Sequence, residues 1–299
     1  MKHHIIIPLF TMLFCALAFN FLKAQDELQV VTKTITKNIP YKSGDTVFVD
    51  GKKAEIIVNT WERDEVKIQV KLSSKHPLQI RAEKDMEMAN VVTEKIGNSI
   101  YIKNDFGPEE QKPESNLSAR YQILMPTYCP LTLKNHFGQT DIEALKSDIE
   151  VAGEFSKIRL NNVKGNVNIT SYFGDIEAQY LTGDVTINSR RSNIDMSNLA
   201  GDFEIKAQYG LVKIDANQTL INLDIEAEKS DVHFTPYLGM NKEMYYNLLA
   251  EYGKISVPKD LKFDFLENSS KSQKAIYGTY KDGYAINITT SFGKIIIGQ

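Results

Sequence analysis

Beyond residue 130 apolar and polar side chains alternate, and the alternation restarts at a fixed interval. Phe137-Gly138, Phe155-Ser156, Phe173-Gly174, Arg191-Ser192 and Tyr209-Gly210 follow one another at the same 18-residue spacing. The steps then lengthen to Lys229-Ser230, Tyr252-Gly253 and Phe292-Gly293, so the pattern loosens and takes up an insertion. The second member is always Gly or Ser, as a tight corner packed against a neighbouring coil requires.

Three and five residues beyond each first member stand pairs such as Ile158/Leu160, Ile176/Ala178, Ile194/Met196, Val212/Ile214, Val232/Phe234 and Ile295/Ile297, separated mostly by polar residues. This is the period of two expected of a half-buried strand. A second set, Ile149/Val151, Val167/Ile169, Val185/Ile187, Phe203/Ile205, Leu223/Ile225, Tyr246/Leu248 and Ile286/Ile288, predicts a second strand per repeat. Short turns such as Leu181-Thr182-Gly183-Asp184 join them. The fold class predicted is all-β: a two-strand-per-coil β-solenoid, parallel β-helix-like, with about 18 residues per coil. If each coil advances one strand spacing, about 4.8 Å, the apolar pairs stack into one core. An antiparallel sandwich would not explain identical residue types at one interval.

Residues 25–130 are less periodic, with candidate strands at 46–49, 55–59, 66–72, 89–94, 99–103, 119–125 and 131–134. The division expected is a signal peptide over 1–24, a β-rich amino-terminal cap or opening coils over 25–130, and the regular solenoid over 131–299 with an insertion around 258–283. Polar stretches at 106–115 and 268–274 predict exposed loops. Helix is confined to two short candidates, at 241–246 and 260–267.

At the amino terminus Lys2 precedes an apolar run from Ile5 to Phe19, and Leu22-Lys23-Ala24-Gln25 offers a cleavage point after Ala24. Phe14 stands before Cys15 where lipidation favours a small residue, so a lipoprotein is not expected. The mature chain should be exported, to the periplasm or the cell surface, and no later stretch approaches the roughly 20 apolar residues of a transmembrane segment. Loss of Lys2 and Lys23 takes the formal charge from −3 to −5, which argues against nucleic acid as a partner. Only Cys129 then remains, so no internal disulfide can form.

The most suggestive chemistry is a column of Asp148, Asn166, Asp184 and Asp202 at 18-residue spacing, with Asp175, Glu177, Asp195 and Glu204 nearby. Stacked carboxylates could hold Ca²⁺. Turn chemistry beside Gly explains the same residues, and the glycine- and aspartate-rich nonapeptide of calcium-binding solenoids is absent. Paired carboxylates also suit glycoside hydrolysis, but minimal turns leave nothing to wall a cleft. His76, His136 and His233 are scattered, Cys129 fits a buried structural thiol, and Trp61 fits packing against the cap. No catalytic, cofactor-binding or metal residue is therefore assigned, and no cofactor. Lys157, Arg159, Arg190 and Arg191 make a basic cluster through which an unknown protein or polysaccharide could bind the solenoid face.

The string Ile56-Ile57-Val58-Asn59-Thr60-Trp61-Glu62-Arg63-Asp64-Glu65-Val66-Lys67-Ile68, then Tyr121-Gln122-Ile123-Leu124-Met125-Pro126, then the repeated aromatic-Gly-x-Ile units, resembles the large bacterial family that carries the adhesin label. The resemblance covers most of the mature chain. It implies an exported β-solenoid of the cell envelope and adhesion as a role, with no family catalytic residues to transfer. The expected function is a non-catalytic, adhesin-like binding scaffold. The alternative is an envelope structural or stress-signalling component, and a polysaccharide-active enzyme ranks below both.

Overall fold

A computed structural model of the chain describes residues 27–108, 110–237, 244–280 and 284–298. The expected signal peptide, its cleavage point and Cys15 lie outside the described residues. In chain order the elements are β1 (Gln29–Pro40), β2 (Thr46–Lys52), β3 (Ala54–Trp61), β4 (Glu65–His76), α1 (Gln79–Met86), β5 (Asn90–Ile96), β6 (Ser99–Asp105), β7 (Asn116–Pro126), β8 (Leu131–Glu143), β9 (Ile149–Lys164) and β10 (Val167–Tyr172). They continue with β11 (Ile176–Arg190), β12 (Ile194–Gln208), β13 (Leu211–Glu228), β14 (Asp231–Thr235), β15 (Tyr245–Glu251), β16 (Lys254–Ser256), β17 (Asp264–Asn268), β18 (Ser272–Tyr277), β19 (Ala285–Ser291) and β20 (Lys294–Ile297).

The fold is the all-β solenoid that the periodicity predicts. Two parallel ladders run along it. The first joins β2, β8, β9, β10, β11, β12, β13, β19 and β15 in spatial order. The second joins β3, β8, β9, β11, β12, β13, β14, β20 and β16. The 18-residue spacing becomes strict register, with Val167 opposite both Ile149 and Val185, and Ile176 opposite both Ile158 and Ile194. These aliphatics are buried, and each fully buried Val or Ile contributes about 1.5–3 kcal/mol of transfer free energy.

Each coil also has a third, very short side that the two-strand reading lacks. Leu145, Val163, Leu181 and Leu199 point inward there and are 0–1% exposed, closing the core between the ladders. Val163 stands opposite Leu181 in register. Where the repeat lengthens between Tyr209 and Lys229, the extra length is absorbed on this side by register shifts between β12 and β13, and the ladders continue undisturbed.

The coils do not stack in chain order at the two ends, contrary to the one-spacing advance expected from sequence. After β14 the chain skips a level to form β15 and β16. The final coil of β19 and β20 then fills the gap, pairing with β13 and β14 below and with β15 and β16 above. Glycine makes the filling possible: a Cβ on Gly293 would lie 1.9 Å from the carbonyl oxygen of Ser230, and one on Gly253 would lie 1.8 Å from that of Gly293. At the amino end β2 and β3 are likewise flanked by β8 on one side and by β6 and β7 on the other.

Antiparallel strands cover both ends. β5 lies on β6, β4 on β7 and β1 on β4 at one end, and β18 on β15 and β17 on β18 at the other. Lys95 of β5 pairs with buried Asp45. Burial pushes the Asp45 carboxyl pKa up, but the Lys95 hydrogen bond and the Lys42 backbone N–H outweigh it and hold the group below the usual carboxylate range. The one helix among the described residues is α1, and the described parts of both stretches expected to be helical hold none. Residues 245–251 are β15, residues 264–268 are β17, and 241–243 lie outside the described residues. The stretch 268–274, expected as a loop, is the tip and second strand of the β17–β18 hairpin, where Ser269 Oγ accepts the N–H of Ser272.

Candidate binding ridge

Among the described residues, every non-glycine residue with positive φ falls at one of two corners of the coil. The second corner is Ala144, Asn162, Tyr180 and Asn198, with φ of 53–59°. The first corner is, in spatial order, Lys53, Phe137, Phe155, Phe173, Arg191, Tyr209, Lys229, Phe292 and Tyr252, with φ of 46–63°. Asn tolerates this left-handed conformation well, whereas aromatic and long side chains are uncommon in it. Their backbone N–H groups are satisfied by the next coil: Phe173 N donates to Arg190 O at 3.0 Å, Arg191 N to Gln208 O at 2.7 Å, Tyr209 N to Glu228 O at 3.0 Å and Phe292 N to Glu251 O at 2.9 Å.

Strict register turns the first corner into a continuous stack of side chains. The rings of Phe137 and Phe155 are 5.0 Å apart, those of Phe155 and Phe173 4.7 Å, and those of Tyr252 and Phe292 5.0 Å, all within 9° of parallel. Where the aromatic series breaks, a cation covers the neighbouring ring. Arg191 sits 5.2 Å over Phe173, and Lys229 sits 5.0 Å over Tyr209 while donating to its hydroxyl at 3.1 Å. The six aromatic members are 40–60% exposed, so the stack projects as a ridge. Phe155 lies between two rings and Phe173 between a ring and Arg191, so both faces of these two are covered.

The small residue after each ridge position fixes its height. A Cβ on Gly174 would come within 2.2 Å of Ser156 O, so the chain can close the corner only with Gly there. In three coils Ser takes the place, and at two of them its hydroxyl accepts the N–H of the Gly one coil before: Gly174 N to Ser192 Oγ at 3.2 Å, and Gly210 N to Ser230 Oγ at 3.0 Å. The third, Ser156, has a buried hydroxyl without a hydrogen-bond partner, so the Gly/Ser alternation is hydrogen-bonded over only part of the ridge.

The residues singled out from sequence are put to structural use. Asp148 accepts the backbone N–H of Asn166 at 3.3 Å, and Asp202 accepts the side-chain amide of Asn222 at 2.5 Å, while Asp184 lies in register with Asp202. Asp175 accepts Asn193 N at 2.9 Å on the second ladder. Asp148, Asp175 and Asp202 thus tie one coil to the next. Glu177 pairs with Lys157 at 2.5 Å, Asp195 with Lys213 at 3.6 Å, Glu204 with Lys206 at 2.7 Å, and Asp141 with Arg159. A depression over the second ladder gathers Asp141, Glu143, Arg159, Glu177, Asp195, Lys213 and Asp215; Arg159 pairs with Asp141 and Lys157 with Glu177, Asp195 and Asp215 share Lys213, and Glu143 takes the side-chain amide of Asn161.

The expected basic cluster does not form. Lys157 and Arg159 are paired with acids on the second ladder, Arg190 lies on the first ladder opposite Tyr172 and Gln208, and Arg191 stands on the ridge. His136 contacts Glu154 at 3.0 Å, His76 Nδ1 accepts Leu78 N at the entry to α1, and His233 lies between Lys213 and Ile296 in register. No metal-binding group of three His, Cys, Asp or Glu side chains occurs among the described residues. Cys129 is buried, and burial pushes its pKa up to about 12, which keeps it a thiol. Trp61 donates to Glu65 O at 2.8 Å under Arg63, so it closes the β3–β4 turn.

Sequence reasoning uses the ridge residues only as markers of the repeat. A signal is present, since the first member is aromatic or cationic in all eight pairs. It is easily missed because the small residue beside it already accounts for a corner.

With this geometry in place, the family pattern of Toastrack DUF4097 matches residues 38–297. A crystal structure of a proposed adhesin from Bacteroides fragilis is 14% identical, with 89% of this chain and 97% of that one covered, at a TM-score of 0.50. A proposed cell adhesion protein from Clostridium sporogenes (14% identical, 90% and 100% covered, TM-score 0.26) and a proposed lipid-binding protein from Parabacteroides distasonis (11%, 91% and 97%, 0.32) superimpose more loosely. At these identities the likeness speaks for the fold alone. No curated protein matches the sequence. No described helix is long and apolar enough to cross a membrane.

Proposed function

The chain belongs to the Toastrack DUF4097 family, and from that premise we propose that it is an exported, non-catalytic binding scaffold of the bacterial cell envelope that engages its ligand along the first-corner ridge. One observation carries this reading: bulky aromatic and cationic side chains occupy a left-handed corner in every coil and stand exposed. Such backbone positions cost about 1–3 kcal/mol each when filled by unsuitable residues, and that expense points to a use for the side chains. Of the carboxylates that could suggest hydrolysis, Asp148, Asp175 and Asp202 are held in inter-coil hydrogen bonds, and Glu177, Asp195 and Glu204 in ion pairs.

The test is to immobilise the secreted form and present it with purified envelope fractions, membranes and polysaccharides, scoring retention and released product separately. Retention should fall when Phe155 and Phe173 are changed together to Asn. Single alanines at Asp175, Glu177, Asp184, Asp195 or Asp202 should leave it within about twofold. Release of oligosaccharide that disappears in one of those single variants would establish an enzyme, since one catalytic carboxylate is worth roughly 10²- to 10⁴-fold.

A further inference from the structure

We infer that the ridge is a peripheral docking edge for an anionic lipid surface, a statement that rests on the scaffold reading and names its partner. The first support is continuity. Nine positions, one per coil, follow one another at one strand spacing, about 4.8 Å, so the row is roughly 38 Å long, measured along the stack. An extended row of exposed side chains suits a broad surface. A groove-seeking peptide or a folded glycan pocket needs no such row.

The second support is composition. The ridge carries Phe137, Phe155, Phe173, Tyr209, Phe292 and Tyr252 beside Lys53, Arg191 and Lys229, and not one carboxylate, in a chain whose formal net charge is −3. Aromatic rings with interleaved Lys and Arg suit the boundary between headgroups and acyl chains. Acids flank the ridge on both sides and are engaged elsewhere: Glu154, Glu228 and Glu251 on the first ladder with His136, Gln208 and Ser291, and Glu55, Asp175 and Asp231 on the second with Arg120 and the backbone N–H groups of Asn193 and Lys294. Along this edge the cationic and apolar character outweighs the acidic, so charge complementarity selects the orientation.

The third support is what the rings cannot do. Stacked within 9° of parallel between Phe137 and Phe173, Phe155 hides both faces on which a sugar ring would lie, and Phe173 has Arg191 on its other side. Their edges remain, and edges suffice for insertion among lipid chains.

The experiment is co-sedimentation of the secreted form with vesicles of phosphatidylcholine and phosphatidylglycerol, against pure phosphatidylcholine vesicles and soluble dextran sulfate. Binding is expected to the anionic vesicles alone and to weaken with salt. R191Q with K229Q should lower it roughly 25-fold, at about fivefold per cation. F155N with F173N, which suits the left-handed corner, should abolish it while circular dichroism stays native. In F155W, emission should shift to the blue when vesicles are added. Equal binding to pure phosphatidylcholine, or binding unmoved by the ridge variants, would overturn the inference. Capture by dextran sulfate without vesicle binding would overturn it too, yet leave a ridge-based scaffold standing. Failure to retain any envelope material would remove both.

Discussion

The two left-handed corners of each coil have nearly the same backbone and opposite side chains. Asn162 and Asn198 at the second corner have φ of 53° and 57°, and Phe155 and Arg191 at the first have 49° and 55°. The second corner takes Asn at two of its four positions, Ala144 and Tyr180 being the others, and is followed by a large buried aliphatic, Leu145, Val163, Leu181 or Leu199. The first takes aromatics and cations throughout and is followed by Gly or Ser at every position except Lys53, which precedes Ala54. One corner is therefore pinned by an apolar plug from within. The other is pinched by backbone packed on backbone, with its exposed side chain left available for contact. Conformational need accounts for Asn162 and Asn198 at the second corner and for none of the residues at the first.

The largest effect should come from the plug. Leu181→Asp buries an unpaired carboxylate between Val163 and the core, and a loss of roughly 4 kcal/mol or more is expected in urea unfolding. Tyr180→Asp, one residue earlier, exposed and left-handed, should change stability by less than about 0.5 kcal/mol. Equal losses at the two positions would mean that the third side of the coil is not part of the core.

The pinch comes next. Gly174→Ala places a Cβ against Ser156 O at 2.2 Å, a backbone clash that a flexible side chain cannot relieve, so roughly 2–4 kcal/mol should be lost. Ser192→Ala removes the acceptor for Gly174 N and the hydroxyl's contacts to Arg190 O and Ser171 Oγ, and about 1–2 kcal/mol is expected. If Gly174→Ala were the milder of the two, close backbone approach would not be what excludes side chains at this corner.

The contrast also marks how far the sequence could be read. Both ladders were legible because the positions of Ile176, Ala178, Val185 and Ile187 recur in every coil with the alternation of a half-buried strand. The third side was not, since a single inward residue such as Leu181 has no alternation to betray it, and beside Thr182-Gly183-Asp184 it passes for part of a turn. The end coils were illegible for another reason. Phe292-Gly293 and Tyr252-Gly253 fit the repeat in either order, and only pairing with Ser230 shows that the later one sits inside. The terminal helix α1 has no long apolar stripe, with Ala82 and Met86 its only buried apolar residues. As for the ridge, its residues stand out one by one, but exposure follows from backbone direction at the corner, which periodicity does not encode.

The smallest effects sharpen the comparison most. Asn162→Gly relieves a conformation that Gly adopts freely but adds chain entropy to the unfolded state, so the two contributions nearly cancel and a change within about 0.5 kcal/mol is expected. Phe155→Gly relieves the same strain, yet it also removes two stacked contacts, to Phe137 and to Phe173, each worth about 0.5–1.5 kcal/mol. A net loss of about 1–2 kcal/mol follows if stacking helps to hold the ridge upright. Phe155→Leu separates the terms, since it keeps a β-carbon and apolar bulk while deleting the ring, and it should fall between. Thermal unfolding of the three variants side by side gives the answer. Should Phe155→Gly prove as neutral as Asn162→Gly, stacking would contribute nothing to stability, and the aromatic side chains at the first corner would be explained by contact with a partner alone.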